Sequence, residues 1–313
     1  MDTTPVYVIG CGAIGFPLAA SLSQIGKNVI AVRSSVSRIG LHFELIKIEQ
    51  NGVETEIAVA VTSLDLLQRQ KGIFVITAKT FVNTQIAIQL SQLNISGPIV
   101  LMQNGLDVEA PFIDAGFEQV FRTVLYFTSE KKAELTYSVK PVKPSVVGVV
   151  KGSSELLPEL VNQLQNPLLV FQATEQIKTI VWQKTIANIV FNSICPLLNQ
   201  DNGVFFRNPE VMALGDELIA ECIQVAQADG VELEHQMVRE QILAISQASS
   251  GLLISTLQDL NAKRQTEIND INLAVARKAD LYGLTGAVTR TRVLGELILL
   301  KQRLTSQLYG DKK

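Results

Sequence analysis

The sequence predicts an α/β protein in which an N-terminal, doubly wound sheet is followed by an all-helical C-terminal domain. From Pro5 to about Thr174, short β-branched runs alternate with helical stretches, as a parallel sheet with crossover helices requires. After about Glu175 the strand pattern ends and long amphipathic segments follow. The chain of 313 residues is about right for two domains, because single cores stop growing near ~250 residues. We therefore expect a first domain over residues 1–174 and a second over residues 175–313.

The candidate strands of the first domain share a β-branched, apolar composition and are bounded by turn-forming residues. They are residues 6–9, 28–32, 73–77, 99–102, 119–125, 145–150 and 168–172. Between the second and third of these runs, residues 45–61 alternate around Asn51 and Gly52. That pair is typical of tight turns between antiparallel strands, so we expect a hairpin there.

The candidate helices of the second domain share apolar residues at helical spacing. They are residues 177–198, 209–229, 235–246, 253–282 and 286–308. The apolar content of the last segments exceeds what one small domain can bury. This excess predicts a homodimer through the helical half.

Composition narrows the class of partner to small molecules. A net charge of −3 and scattered Lys and Arg residues give no footprint for nucleic acid or for an anionic membrane. Three widely spaced cysteines predict neither a disulfide framework nor a zinc site, and they favour the reducing cytoplasm. The two histidines, His42 and His235, form no metal-binding or Ser/His/Asp pattern. Acid and base chemistry is therefore expected from Lys, Asp, Glu or Tyr, with no metal.

A glycine-rich motif follows the first candidate strand directly and precedes a helical stretch. Its residues are Gly10, Cys11, Gly12, Ala13, Ile14 and Gly15. The first glycine permits the tight turn, the second admits a pyrophosphate, and the third lets the helix pack on the strand. The N–H groups and dipole of the helix N-terminus would bind the phosphates. The motif predicts a Rossmann domain that binds a dinucleotide.

The end of the second candidate strand predicts which dinucleotide binds. NAD-specific sites place Asp or Glu there, to bond the ribose 2′-hydroxyl. This chain instead has Arg33, Ser34 and Ser35, with Arg38 following. A guanidinium can pair with a 2′-phosphate, whereas a carboxylate would repel it. We therefore predict NADP(H) over NAD(H), the alternative being that Arg33 is only a surface residue.

Further motifs, in order along the chain, carry a resemblance to a known family. They are Thr77-Ala78-Lys79, Gln103-Asn104-Gly105, the Lys184-x-x-x-Asn188-x-x-x-Asn192 segment, Asn202-Gly203, and Ser255 with Glu267 twelve residues later. With the glycine motif, this set resembles the ketopantoate reductase (2-dehydropantoate 2-reductase) family almost from end to end.

The resemblance implies an NADPH-dependent reduction of 2-dehydropantoate to pantoate, a step of pantothenate biosynthesis. It also implies that Lys79 lies near the coenzyme phosphates and Asn104 beside the nicotinamide. By the same resemblance, Ser255 binds the substrate carboxylate and Glu267 bonds the nicotinamide ribose. One straight helix over both would separate Ser255 from Glu267 by about 18 Å, so Ser255 is expected before the helix or at its start.

Residue chemistry supports this resemblance independently at Lys184. Lys184, Asn188 and Asn192 recur every four residues, so they form one polar stripe on an otherwise apolar helix. Buried amines and amides without partners cost several kcal/mol, so we expect the stripe to face a ligand cleft between the domains. Lys184 is the candidate proton donor for the alkoxide. Asn104, Asn188, Asn192 and Asn202 would orient the substrate.

Three departures from the family leave the substrate open. Residues 136–147 and 284–287 diverge, and Leu252 stands where the family often has a polar side chain. Another branched 2-oxo or 2-hydroxy acid is therefore an alternative substrate, and a non-catalytic NADP-binding regulatory protein is a further alternative. Cys11 and Cys195 are interpreted as small apolar fillers and not as redox groups.

Overall fold

The computed structural model describes residues 4–310, with side chains to residue 305. Its contacts divide the chain into two compact units. The sheet unit comprises Met1–Gln103 and Val108–Ile177, and the helical unit comprises Asn104–Asp107 and Lys178–Lys313. The first three and last three residues of the two expected domains lie outside the described residues. The assignment of coenzyme binding to the first domain and of substrate binding to the second stays a prediction.

The sheet unit contains one sheet of eleven strands within the described residues. The strands are β1 Val6–Ile9, β2 Val29–Arg33, β3 His42–Gln50, β4 Val53–Ser63, β5 Ile73–Ile76, β6 Ile99–Leu101, β7 Val120–Val124, β8 Phe127–Ala133, β9 Thr136–Pro141, β10 Ser145–Lys151 and β11 Phe171–Ala173. Their order is β11-β10-β7-β6-β5-β1-β2-β4-β3-β9-β8. From β7 to β2 all neighbours are parallel. The order reverses at β1, and ligands of such sheets bind at the carboxyl ends of the strands beside this point.

Helices cover both faces of the parallel region. They are α1 Gly15–Gln24, α2 Asn83–Gln92, α3 Ala110–Asp114 and α4 Leu157–Leu164. Along β1, Val6 and Val8 belong to the hydrophobic cluster that includes α1 and α4. Tyr7 and Ile9 belong to the cluster that includes α2 and α3. Because successive side chains of a strand point to opposite faces, this alternation confirms the expected doubly wound architecture.

Two hairpins extend the sheet beyond β2. The expected hairpin at residues 45–61 is confirmed as β3 and β4, which pair in antiparallel register through the turn at Asn51 and Gly52. The hairpin of β8 and β9 was not expected, and it includes half of the divergent segment at 136–147. Five of the seven residues of β8 are exposed, because the strand forms the edge of the sheet. Its sequence therefore lacks the apolar pattern of a buried strand.

The helical unit is built around one long buried helix. Its helices are α5 Ile177–Leu198, α6 Val204–Arg207, α7 Pro209–Ala228, α8 His235–Ala248, α9 Ser255–Asn261, α10 Asn272–Leu281 and α11 Thr289–Gly310. Trp182, Ile186 and Val190 of α5 lie in its core. Phe191 packs edge-on against Phe205 of α6, with ring centres 4.8 Å apart.

The expected single helix over residues 253–282 is wrong, because the chain forms two helices, α9 and α10. Lys263 adopts a left-handed backbone conformation with φ of 55°, which ends a helix. The Thr266 backbone N–H then donates a hydrogen bond to the Gln302 side chain of α11, at 2.8 Å. The non-helical residues 262–271 are thus fixed by tertiary contacts that the periodicity of the sequence does not reveal. Within residues 4–310, none of the helices combines the length and the apolarity needed to cross a bilayer.

Candidate active site

The glycine loop between β1 and α1 has the geometry of a phosphate cradle. Gly10 has a φ of 114°, and a Cβ there would lie 2.3 Å from the Ala78 backbone nitrogen. A Cβ on Gly15 would lie 1.8 Å from the Gly10 carbonyl oxygen. By contrast, a Cβ on Gly12 would meet no described atom within 4 Å. The first and third glycines are therefore required by packing, and the second faces open space.

The N-terminus of α1 is suited to an anion. Ile14 precedes the helix without a side-chain cap, and its first turn carries no acidic residue. Free N–H groups and the positive end of the helix dipole therefore remain for a ligand. Together with the open space at Gly12, this arrangement fits a dinucleotide pyrophosphate, with Cys11 and Ala13 in the same loop.

The loop after β5 is held against the glycine loop. The Thr77 hydroxyl donates a hydrogen bond to the Gly10 carbonyl oxygen at 2.7 Å. The Ala78 backbone N–H donates to the Ile9 carbonyl oxygen at 3.1 Å. Lys79 follows directly and is exposed. The fold thus brings Lys79 to the same edge of the sheet as residues 10–15, as the sequence predicts for parallel strands.

A buried polar network that the sequence did not reveal fixes the end of β6. Gln103 and Asn83 exchange side-chain hydrogen bonds of 2.7 and 2.9 Å. Gln103 also donates to the Ala78 carbonyl oxygen at 2.6 Å. Arg122, which is 3% exposed, pairs with Glu109 at 3.0 Å and donates to the Gln103 carbonyl oxygen at 3.2 Å. The sequence signal for this network is Arg122, an arginine within an otherwise apolar strand. The network connects the loops after β5 and β6.

Asn104 lies in a segment that belongs to the helical unit. Gly105 has a φ of 101°, and a Cβ there would lie 2.3 Å from the Asp270 carbonyl oxygen. The Leu106 N–H donates to that oxygen at 3.0 Å. Asp107 pairs with Lys278 at 3.1 Å. These contacts fix the backbone that follows the half-buried Asn104, and those of Gln103 fix the backbone before it.

The polar stripe on α5 is largely enclosed. Lys184 and Asn188 are half-buried, and Asn192 is 1% exposed. Around the stripe, Ile186 and Ile189 are fully buried, which confirms that the helix belongs to the core. The Asn192 Oδ1 atom is buried and has no hydrogen-bond partner among the described residues. Because such an atom costs about 1–3 kcal/mol, its retention points to a polar ligand.

Asn202, on the loop before α6, resembles Asn192 in the surroundings of its side-chain amide oxygen. Its N–H donates to the Leu252 carbonyl oxygen at 2.9 Å, and its own carbonyl oxygen accepts from the Ser246 hydroxyl at 2.6 Å. Its Oδ1 atom is buried and finds no partner within the part of the chain that the structure describes. The backbone of Asn202 is therefore fixed while its amide oxygen remains available to a ligand.

The neighbouring Asp201 holds this loop and was not identified from the sequence. Its carboxylate pairs with Arg207 at 2.8 Å and accepts backbone hydrogen bonds from Gly203 and Gly251 at 2.7 and 3.0 Å. The hydrogen bond from Arg207, helped by that from Gly251, holds the pKa of Asp201 well below its usual value. The carboxylate therefore stays charged and fixes the turn that carries Asn202.

Ser255 and Glu267, which the family resemblance assigns to the site, lie on different segments of the helical unit. Ser255 is the first residue of α9 and is exposed, in agreement with the expectation that it lies at a helix start. Glu267 is half-buried within the non-helical residues 262–271. Leu252 and Leu253, just before α9, are 50% and 40% exposed. The Leu252 carbonyl oxygen accepts the hydrogen bond from the Asn202 N–H, so this apolar surface lies next to Asn202.

Arg33, at the end of β2, has a partner that the sequence did not reveal. Its Nη2 atom lies 2.8 and 2.7 Å from the two carboxylate oxygens of Glu44 on β3. Its guanidinium carbon lies 5.5 Å from the centre of the Phe16 ring, a cation–π distance. His42 bonds the same carboxylate at 3.1 Å. The end of β2 has no carboxylate of its own, but the fold places the Glu44 carboxylate of the β3–β4 hairpin against it.

The cysteines are unsuited to redox chemistry. Burial raises the pKa of Cys11 to about 12 and that of Cys195 to about 12. Since the thiolate is the reactive form, both thiols are protonated and unreactive at neutral pH. The described residues also contain no cluster of His, Cys, Asp and Glu that could hold a metal ion.

The fold and the glycine loop define a dinucleotide-dependent enzyme of the Rossmann class. Family models make the assignment specific. The model described as "Ketopantoate reductase PanE/ApbA" matches residues 6–151, and that of its C-terminal domain matches residues 176–301. The chain belongs to the ketopantoate reductase family.

Similar proteins agree with this assignment. The 2-dehydropantoate 2-reductase of Archaeoglobus fulgidus is 24% identical over 298 residues, which cover 93% of this chain and 96% of the relative. That of Shigella flexneri is 23% identical over 310 residues, with 95% of each chain covered. Membership makes this protein an oxidoreductase that acts on a CH-OH group, in a family that depends on NADP(H) and belongs to pantothenate biosynthesis.

Solved structures share the fold. A PanE/ApbA family ketopantoate reductase from Ralstonia eutropha JMP134 aligns with a TM-score of 0.82 at 21% identity, covering 96% of this chain and 99% of that one. D-mandelate dehydrogenase, in a ternary structure with NADH and anilino(oxo)acetate, aligns with a TM-score of 0.82 at 18% identity and the same coverage. A ketopantoate reductase from Staphylococcus aureus, described as dimeric, aligns with a TM-score of 0.79 at 20% identity, again covering 96% and 99%.

Proposed function

We propose that this protein reduces 2-dehydropantoate to pantoate with NADPH, with Lys184 as the proton donor. The observation that carries the proposal is the polar stripe on α5, where Asn192, like Asn202 nearby in sequence, has a buried amide oxygen with no hydrogen-bond partner in the described part of the chain. Apolar substrates would leave these oxygens unsatisfied, whereas a hydroxylated 2-oxo acid offers hydrogen-bond donors to them. We place the reaction in the cytoplasm, where the free thiols of Cys195 and Cys222 stay reduced.

The glycine loop, Arg33, Lys79, Asn104 and Glu267 would hold the coenzyme. The backbone of residues 10–15 would bind the pyrophosphate, as the open space at Gly12 and the uncapped helix N-terminus allow. Arg33 and Lys79 would neutralise the phosphates. Asn104 would lie beside the nicotinamide and Glu267 would accept a hydrogen bond from its ribose. When bound, NADPH supplies the hydride.

Residues of the helical unit would handle charge and proton. Hydride addition leaves negative charge on the carbonyl oxygen, which the Lys184 ammonium would stabilise before giving up a proton to it. The amides of Asn188, Asn192 and Asn202 would orient the oxygens of the substrate, and Ser255 would bind its carboxylate. The buried apolar residues of α5 beside this stripe would lower the local polarity, which would strengthen each of these interactions.

Replacement of Lys184 tests the proposal. Lys184→Ala should lower kcat by about 10²–10⁴-fold, the usual contribution of a positioned acid, and leave the dissociation constant of NADPH unchanged. Stopped-flow absorbance of NADPH and fluorescence titration measure the two quantities. Lys178→Ala is the matched control, since Lys178 lies on the same helix but is 59% exposed, and it should keep wild-type turnover. Equal turnover of the Lys184→Ala variant and wild type would remove Lys184 from its role.

A second candidate function is reduction of another 2-oxo acid, or oxidation of the matching 2-hydroxy acid. The exposed Leu252 and Leu253 favour it, because they offer an apolar surface beside Asn202. A relative in fold acts on D-mandelate, whose substituent is apolar. Comparison of kcat/KM for 2-dehydropantoate with that for branched and aromatic 2-oxo acids separates the two. NADPH binding without turnover of any of them would instead indicate a non-catalytic regulatory protein.

We further propose that the protein is a homodimer through its helical unit. An apolar groove of about 470 Å³ lies between α5, α7 and α11, and its lining includes Leu197, Leu198, Leu214 and Val293. Each of these four side chains is at least 36% exposed, which is unusual for a monomer surface. The Staphylococcus aureus relative is described as dimeric. Sedimentation velocity should give a dimer for wild type and a monomer for Leu214→Glu, and a monomeric wild type would refute this proposal.

A further inference from the structure

The Arg33 guanidinium is held at the position where Rossmann domains distinguish their coenzymes. The end of the second strand faces the adenosine ribose, and its side chain selects between a 2′-hydroxyl and a 2′-phosphate. Arg33 is the last residue of β2, which pairs with β1 in parallel register. It also packs on Phe16 in the first turn of α1. Arg33 therefore lies beside the glycine loop that the proposed function assigns to the pyrophosphate.

Glu44 reaches this guanidinium from outside the β1–α1–β2 unit. It lies on β3, and β4 separates β3 from β2 in the sheet. Both carboxylate oxygens are within 2.8 Å of Arg33 Nη2. The side chains of Arg33 and Glu44 are only 30% and 15% exposed, so solvent screens this pair less than it screens a surface ion pair.

The pair has two consequences for an anionic ligand. Arg33 already donates to a carboxylate, so a 2′-phosphate must compete with Glu44 for the guanidinium. The carboxylate itself repels a phosphate that approaches the same place. A ribose 2′-hydroxyl meets neither obstacle and can donate a hydrogen bond to a carboxylate.

We propose that Glu44 is a specificity-determining residue that lowers the preference of this chain for NADP(H) over NAD(H). The inference rests on the proposed coenzyme site and adds to it a residue that the glycine motif and the strand end do not contain. Arg33 still favours NADPH, and Glu44 opposes it. The protein should accordingly bind both coenzymes, with a modest preference that one substitution enlarges.

Direct coenzyme binding tests this inference without reference to turnover. The dissociation constants of NADP⁺ and NAD⁺ are measured by calorimetric titration for wild type, Glu44→Gln and Glu44→Asp. Glu44→Gln keeps the size of the side chain and removes its charge, so NADP⁺ affinity should rise roughly tenfold relative to NAD⁺ affinity. Glu44→Asp withdraws the carboxylate from Arg33 by one methylene, so its ratio should lie between those of wild type and Glu44→Gln.

Two controls separate the role of Glu44 from a general effect of charge. Glu54→Gln removes a carboxylate from the same hairpin that pairs with Lys47 at 3.0 Å and is 50% exposed, and it should leave the ratio unchanged. In an Arg33→Gln background the competition for the guanidinium is gone, so the remaining effect of Glu44→Gln on NADP⁺ affinity measures the direct repulsion between carboxylate and phosphate alone. A ratio equal in wild type, Glu44→Gln and Glu44→Asp would overturn the inference and leave the proposed function intact. Failure of wild type to bind either coenzyme would overturn both.

Discussion

Asn192 and Ser193 are neighbours in α5 and are both buried, but their side chains have opposite surroundings. The Ser193 hydroxyl accepts a hydrogen bond from Asn272 of α10 at 2.6 Å. The Asn192 Oδ1 atom has no partner among the described residues. Since an unsatisfied buried oxygen opposes folding, Asn192 is retained at a cost to stability. Under the proposed function, Asn192 is placed for a ligand, whereas Ser193 is placed for the core.

The contrast predicts opposite effects of two substitutions. Asn192→Leu removes the unpaired oxygen at similar volume, so the Tm should stay equal or rise, while kcat/KM should fall about a hundredfold through lost orientation. Ser193→Ala should lower the free energy of unfolding by about 1–3 kcal/mol and leave kcat/KM unchanged. Calorimetry and steady-state kinetics measure both. An Asn192→Leu enzyme with full activity would contradict the assignment of this residue to the substrate.

The glycine loop between β1 and α1 combines two separate requirements. Gly10→Ala should cost about 2–4 kcal/mol of unfolding free energy, because φ is 114° and the new Cβ would lie 2.3 Å from a backbone nitrogen. Gly12→Ala should leave stability unchanged, since its Cβ meets open space. It should nevertheless weaken NADP⁺ binding by at least about tenfold, because the methyl group occupies the approach of the pyrophosphate. Thermal unfolding and coenzyme titration of both variants check this, and tight binding by Gly12→Ala would contradict it.

Helices and strands could be predicted from the sequence where buried residues produce a regular apolar pattern. The expected helix at 177–198 has the bounds of α5, and β1 is found at residues 6–9, because both lie in the core and show a continuous apolar pattern. The prediction was wrong at residues 253–282, where a left-handed Lys263 and hydrogen bonds from Thr266 to α11 override helical spacing. The edge hairpin of β8 and β9 was missed because its outer strand is solvated.

Across the whole chain, motifs confined to one short segment could be recognised from the sequence, whereas contacts between residues distant in sequence could not. The spacing of the glycines in residues 10–15 is by itself typical of a dinucleotide-binding loop, so this loop could be identified before the fold was known. Glu44 reaches Arg33 because β4 pairs with both β2 and β3 and so brings their strands close together. Arg122 reaches Gln103 because β7 pairs with β6. No spacing in the sequence records such pairs. The long-range polar contacts of the candidate site therefore required the structure.

The proposed function depends most on proton donation by Lys184 to the carbonyl oxygen of the substrate. A crystal structure of the protein with NADP⁺ and pantoate tests it most directly. We expect the Lys184 Nζ atom at hydrogen-bond distance, about 2.6–3.2 Å, from the 2-hydroxyl oxygen of pantoate, with the amide oxygens of Asn192 and Asn202 bonded to ligand or to ordered water. A pantoate hydroxyl with no contact to Lys184, beside a nicotinamide held elsewhere, would contradict it.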